Sequence, residues 1–398
     1  MQVQEFRLRE VVMPTKCSPR VVIVAMLDSV HVARWLSNLV TLDFEITLFP
    51  SSPHRRLHPT IADLLREHHH RMSLSSFWKH FSLPVWLVDK IFKLGLRRTG
   101  LRRTISKASP HFVHALESQS GGYLAVKALE ASPVPMGLTL FGSDLYWFAR
   151  FPKHREKIRK LLKRTSYLWC ECSRDIKLAR TLGYEAEIFP TGPVAGGFTL
   201  TSLMDCQSSI PASSRPYITV KGYTNFVGQA GVVLAALRKT RREIKQYTTI
   251  IYSATVRARL EVLVMRRFLG MSIRAIPKHA LNHEETLLLF AKSSVFVGVS
   301  DSDGLPSSTC EALAVGSFVI QSGTSCCEEI ISHLKDGYIL SNNSRDDVME
   351  ALRFWLANPD LVDSASLNNR LRMSYFLDPE RRRQEIVDSY RHVFARVG

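Results

Sequence analysis

Short runs of apolar, mostly β-branched residues alternate along this chain with stretches whose apolar positions recur every three to four residues. Val21-Val22-Ile23-Val24-Ala25 leaves no polar position on either face and predicts a strand buried on both sides, followed by a loop at Met26–Ser29 and a helix from His31 to Leu36. Further strands are predicted over Phe44–Phe49, Phe112–His114, Leu138–Phe141, Tyr167–Glu171 and Glu187–Phe189, with a basic helix over Lys153–Lys163. The alternation then pauses at Thr201–Pro216, a Ser- and Pro-containing stretch with little apolar periodicity. It resumes with strands at Tyr217–Val220, Thr248–Tyr252, Ser272–Ile276, Val295–Val299 and Phe318–Gln321. The helices between them are predicted from about Gly228 to Lys239, and over Val256–Leu269, Glu284–Lys292 and Ser308–Val315. Helices at Asp346–Ala357, Leu361–Phe376 and Arg381–Phe394 close the chain. Strands alternating with helices on both sides of a linker predict two parallel, doubly wound α/β domains.

At 398 residues, with 45% hydrophobic and 22% charged positions, the chain is long enough for two cores and unlike a disordered or repetitive polymer. No apolar run approaches the ~18 residues of a spanning helix. The acidic, Arg-containing start is unlike a secretory signal, so a cytoplasmic protein is expected. Seven scattered cysteines without metal-site spacing suggest reduced thiols.

The net charge of +17 is uneven. Between His54 and Pro110 there are 12 Lys or Arg against three acidic residues, interleaved with Phe77, Trp78, Phe81, Trp86, Leu87, Ile91 and Phe92. Such a mixture suits an anionic membrane surface, with a merely solvated basic face as the alternative. Nucleic acid is disfavoured because no recognition motif accompanies the charge.

The stretch most suited to chemistry runs from Ser300 through Asp303-Gly304-Leu305-Pro306 into the helix containing Glu311 and on to Gly316. It follows a predicted strand, placing Asp303 and the succeeding backbone amides at the edge of a sheet where open α/β folds bind ligands. Read for structure alone, Ser308-x-x-Glu311 is a capping box. Both readings stand at this point.

Asp303-x7-Glu311, with Gly304, the Glu-Ala-Leu-Ala helix and Gly316, resembles the E-x7-E region of family 4 glycosyltransferases. That family usually has Glu at both positions, the first facing the donor sugar and the second binding the nucleotide ribose; a Ser-Asp-Gly version also occurs in it. Weaker similarities follow in the family's order. They are Met26–Trp35 with Ser29 and His31, His114-Ala115-Leu116-Glu117, Gly142-Ser143-Asp144-Leu145, Pro190–Phe198, Lys221-Gly222-Tyr223 and Glu329.

The resemblance implies a GT-B fold, two Rossmann-like domains facing each other across a cleft. An acceptor-side domain is expected at 1–205 with a basic-aromatic insertion at 54–110, a donor-side domain at 206–375, and a returning helix at 376–398. By the same resemblance Asp303 and His114 are the expected catalytic residues, and Lys221, Gly222, Ser302, Gly304, Leu305 and Glu311 the donor site. Ser29, His31, Glu117 and Asp144 would lie toward acceptor and sugar. The implied activity is retaining, metal-independent hexosyl transfer, with no cofactor, from a nucleotide diphosphate sugar to a glycan or lipid-linked acceptor in surface polysaccharide synthesis. The place would be the cytoplasm, with peripheral contact at the inner membrane face. A non-catalytic homologue and a nucleotide-sugar epimerase are the competing readings. Asp301-x-Asp303 has the spacing of a metal motif, but its Gly-Leu-Pro context fits E-x7-E better.

Overall fold

The computed structural model describes residues 18–53, 56–80, 83–192 and 209–397. Two parallel sheets organise the chain. The first consists of β1 (Arg20–Ala25), β2 (Glu45–Pro50), β3 (Met72–Leu74), β4 (Phe112–Leu116), β5 (Met136–Leu140), β6 (Tyr167–Cys170) and β7 (Glu187–Pro190), in the spatial order 3-2-1-4-5-6-7. β1 pairs with β2 and β4, so the connections diverge between β1 and β4 and leave a crevice beyond their carboxyl ends. The fully apolar run of β1 is explained by this central place, buried on both faces.

After β8 (Tyr217–Lys221), a two-stranded hairpin of β9 (Thr224–Asn225) and β10 (Gly228–Gln229) precedes the helix Ala230–Lys239. The second sheet adds β11 (Thr248–Ala254), β12 (Ile273–Pro277), β13 (Ser293–Gly298), β14 (Phe318–Ser322) and β15 (Tyr338–Leu340), in the order 12-11-8-13-14-15. Here the connections diverge between β8 and β13. Alternate residues of β13 build different cores. Val295 and Val297 pack with Val233, Leu237 and Val262, while Phe296 packs with Phe290, Leu313 and Met373.

The described residues within Met1–Thr139, Lys163–Leu168 and Gln384–Gly398 form one compact unit, and those within Leu140–Leu162 and Trp169–Arg383 another. Several sequence expectations change. The 54–110 segment, read as an insertion, contributes β3 to the first sheet and sends Ile61, Leu64, Leu101 and Ile105 into the core. β3 and β15 escaped the pattern because three residues cannot display a period. The start of the helix expected at Gly228 is taken by the hairpin. Half of the expected linker, at 201–208, and much of the Pro190–Phe198 loop lie outside the described residues. Among the described residues no helix is long and apolar enough to cross a membrane.

Candidate functional site

In the second sheet Lys221 ends β8 and Asp303 sits in the loop after the adjacent β13. Their side chains meet at 3.1 Å, both part-buried. The other Asp303 oxygen accepts the Gly304 N–H at 3.0 Å. Glu311, on the buried side of the helix Ser307–Ala314, lies 3.0 Å through Oε1 from His283 Nε2. His283 is the first residue of the helix His283–Ala291, fixed by a capping box between Asn282 and Glu285.

The alternative capping box at Ser308 and Glu311 does not form. Pro306 occupies the cap position, which puts Ser308 inside the first turn. Glu311 is therefore left facing His283 instead of folding back on its own helix. Gly316, at φ +79, allows the chain to turn from this helix into β14, where a Cβ would lie 2.5 Å from Ser366 Oγ.

The glycines here have packing reasons. A Cβ on Gly222 would lie 2.6 Å from the Tyr252 carbonyl oxygen and 2.7 Å from Ala254 Cα, so this glycine lets β8 pass the end of β11. Gly304 packs against Gly142, whose Cα would be 2.7 Å from an added Cβ. Leu305 and Ser302 are buried, and Ser302 exchanges 3.3 Å hydroxyl and carbonyl contacts with Ser143. Asp301 is held by the Gln229 amide at 2.6 Å and by Asn343 at 3.4 Å, away from any pairing with Asp303.

Two residues beside Asp303 carry signals that sequence reasoning missed or set aside. Arg174 donates to the carbonyl oxygens of Asp303 (2.8 Å), Gly142 (3.0 Å) and Thr324 (2.8 Å), besides its ion pair with Asp175 at 3.2 Å. Burial, with the Cys172 thiol and the Asp303 carboxylate adding to it, pushes the Glu171 carboxyl well above the ordinary range. Glu171 follows β6, far from Asp303 in sequence, so no local pattern could have linked them.

The first sheet treats its candidates differently. His114, expected at a strand end, is in mid-strand, opposite Ile23 on one side and Gly137 on the other, with no exposed surface. One ring nitrogen faces the Tyr390 hydroxyl at 2.5 Å and the other the Thr139 hydroxyl at 2.9 Å. Burial lowers its pKa from 6.5 to about 3, so the ring is neutral at pH 7. This geometry corrects the catalytic expectation: a sealed imidazole with both nitrogens engaged has no route to a substrate.

Glu117, at φ 77, turns its carboxylate onto the amides of Gln119 (3.0 Å), Ser120 (2.7 Å) and Gly121 (2.5 Å), and also takes the Ser120 hydroxyl. It is a clamp for the turn after β4. Asp144 similarly accepts the Phe141 N–H at 2.6 Å. Ser29 caps the helix Val30–Leu39 by position, without a side-chain bond to that helix, and His31 is half-buried in its first turn. Both follow β1, at the first sheet's divergence point.

Among the described residues, Cys172, Cys326 and Glu329 bring possible ligand atoms within 4.8 Å of one another. Hydrogen bonding between the two thiols and burial hold Cys326 protonated, and Glu329 accepts from the Ser173 N–H and hydroxyl at 2.7 and 2.6 Å. The two thiols are thus engaged with each other, and Glu329 with Ser173.

Two family models match the chain side by side: Glycosyl transferase 4-like over residues 20–171 and Glycosyl transferases group 1 over residues 229–372. Solved structures agree over almost the whole length. Sucrose-phosphate synthase from Thermosynechococcus elongatus is 14% identical with a TM-score of 0.75, covering 95% of this chain and 99% of that one. Anabaena HepE, in complex with UDP and glucose, is 12% identical with a TM-score of 0.69, covering 94% and 100%. A putative UDP-N-acetylglucosamine 2-epimerase from Listeria monocytogenes gives 13%, 0.57, 88% and 91%. No curated protein sequence matches. The fold is GT-B, and the chain belongs to the family 4-like glycosyltransferases.

Proposed function

We propose that this chain transfers a hexosyl group, with retention and without a metal, from a nucleoside diphosphate sugar bound at the β8–β13 divergence point to a glycan or lipid-linked acceptor. The observation that carries the reading is the Lys221–Asp303 pair at the carboxyl ends of β8 and β13, together with the His283–Glu311 pair on the helices that follow β12 and β13, both in exchangeable side-chain contacts. The UDP and UDP-glucose seen in neighbours of this fold support a donor of that class. An incoming diphosphate competes with Asp303 for Lys221, and the N-terminus of Ala230–Lys239 adds favourable dipole charge. Asp303, released, accepts hydroxyls of the sugar, and Glu311 takes the ribose.

As the bond from anomeric carbon to phosphate oxygen breaks, negative charge grows on the leaving diphosphate, where Lys221 offsets it. The acceptor oxygen bonds to the anomeric carbon from the same face, and its proton passes to the departing phosphate oxygen. Incubation with a panel of nucleotide sugars, following release of nucleoside diphosphate with and without acceptor lipids, tests the proposal. Binding without any release from any donor would favour the non-catalytic homologue.

The acceptor side is proposed to meet an anionic inner membrane surface through the helix Leu83–Phe92, in the service of surface polysaccharide synthesis. Leu83, Leu87, Val88, Ile91 and Phe92 are exposed, and Lys90 lies over the Trp86 ring at 4.8 Å. Of the nearby arginines, Arg97 bonds the Ser51 carbonyl oxygen and Arg102 those of Lys127 and Ala128. Lys93, Arg98 and Arg103 are the better charges to remove, and their replacement by Gln should weaken pelleting with phosphatidylglycerol vesicles at low salt.

A further inference from the structure

The helix Val256–Leu269 follows β11 and is apolar on two faces. Ala258, Val262 and Met265 point into the core of the second sheet. On the opposite side Val256, Leu260, Leu263, Val264 and Phe268 are 52% to 77% exposed. Their spacing of four, three, one and four residues puts them on a single outward arc. A helix apolar on both sides is one whose outer face has a partner.

The charges on this helix identify the partner's chemistry. Arg257, Arg259, Arg266 and Arg267 lie among or beside the outward apolar residues, and the helix has one acidic residue, Glu261, already paired with Arg257 at 3.2 Å. A second copy docked face to face would bring arginine rows together, a like-charge contact that opposes association. An anionic bilayer surface satisfies both parts: acyl chains take the leucines and Phe268, while the guanidinium groups snorkel to lipid phosphates.

We propose that the outer face of Val256–Leu269 is a docking surface for anionic lipid, distinct from the helix Leu83–Phe92. It follows from the exposed side chains of this helix and is independent of the catalytic reading.

The test uses the full chain with phosphatidylglycerol and phosphatidylcholine vesicles. Replacing Leu260, Val264 and Phe268 together with Gln should lower the partition coefficient on phosphatidylglycerol at least tenfold, with the unfolding midpoint unchanged. Gln at Arg257, Arg259, Arg266 and Arg267 should remove the preference for phosphatidylglycerol and most of its salt dependence. Gln at Leu87, Ile91 and Phe92 serves as the separate probe of the first unit. The inference is overturned if the Leu260 set binds vesicles like wild type. It is equally overturned if sedimentation shows a wild-type dimer that this set dissociates while vesicle binding stays the same.

Discussion

The two sheets place polar side chains at comparable points and use them in opposite ways. Beside the β1–β4 divergence, His114 and Glu117 are consumed by the fold: the imidazole is sealed between Tyr390 and Thr139, and the carboxylate clamps the next turn. Beside β8 and β13, the polar groups pair through side chains with part of their surface exposed, Lys221 with Asp303 and His283 with Glu311. A carboxylate held by three backbone amides, or an imidazole with no exposed surface, cannot exchange partners without disturbing the fold around it. A side-chain pair can, which is what ligand binding requires.

Substitution should therefore show up as stability in the first unit and as affinity in the second. The largest effect is expected at His114→Ala, which leaves a cavity, takes the imidazole partner from the Thr139 hydroxyl and leaves the Tyr390 hydroxyl with the Trp35 N–H; it should cost about 3 kcal/mol in denaturant unfolding. Nucleotide affinity should not change.

A pH effect of smaller size follows from the same ring. Because the folded pKa is depressed to about 3 from 6.5, the unfolded chain binds more protons between these values. The stabilisation from keeping the ring neutral is complete above 6.5 and is lost as pH falls toward 3. From pH 7 to 5 the loss is about 2 kcal/mol, and it should be missing from His114→Gln, compared with wild type by urea unfolding at both values.

Smaller again, Glu117→Gln keeps the shape but weakens the charge-assisted bonds to three amides. It should lower stability by about 1 kcal/mol, measured as a shift in the unfolding midpoint, again without loss of nucleotide binding. An affinity loss exceeding the stability loss would break the contrast between the sheets.

The physical reasons for what the sequence displayed, and what it hid, follow the same division. Strand and helix alternation was legible because burial imposes periodicity, and Val256–Leu269 was bounded as observed. The Asp303–Gly316 stretch was legible because a strand, a loop with glycine and a helix start are contiguous there. His114 had a local clue, since the apolar neighbours Phe112, Val113, Ala115 and Leu116 leave no solvent-facing side of that strand. Other partnerships were hidden by distance along the chain. Tyr390 reaches His114 across 276 positions, His283 reaches Glu311 across 28, and Glu171 comes to Asp303 from the end of another strand. Glu117 was misleading because its partners are backbone amides, which every residue type supplies.

Calorimetric titration of nucleoside diphosphates into wild type, Glu311→Gln and Asp303→Asn tests the second site most directly. Glu311→Gln should bind more weakly by about 1–3 kcal/mol, a loss shared by the matching nucleotide sugar. Asp303→Asn should retain nucleoside diphosphate binding while losing turnover, as expected of a contact with the reacting sugar. Equal affinities for wild type and Glu311→Gln would contradict the account.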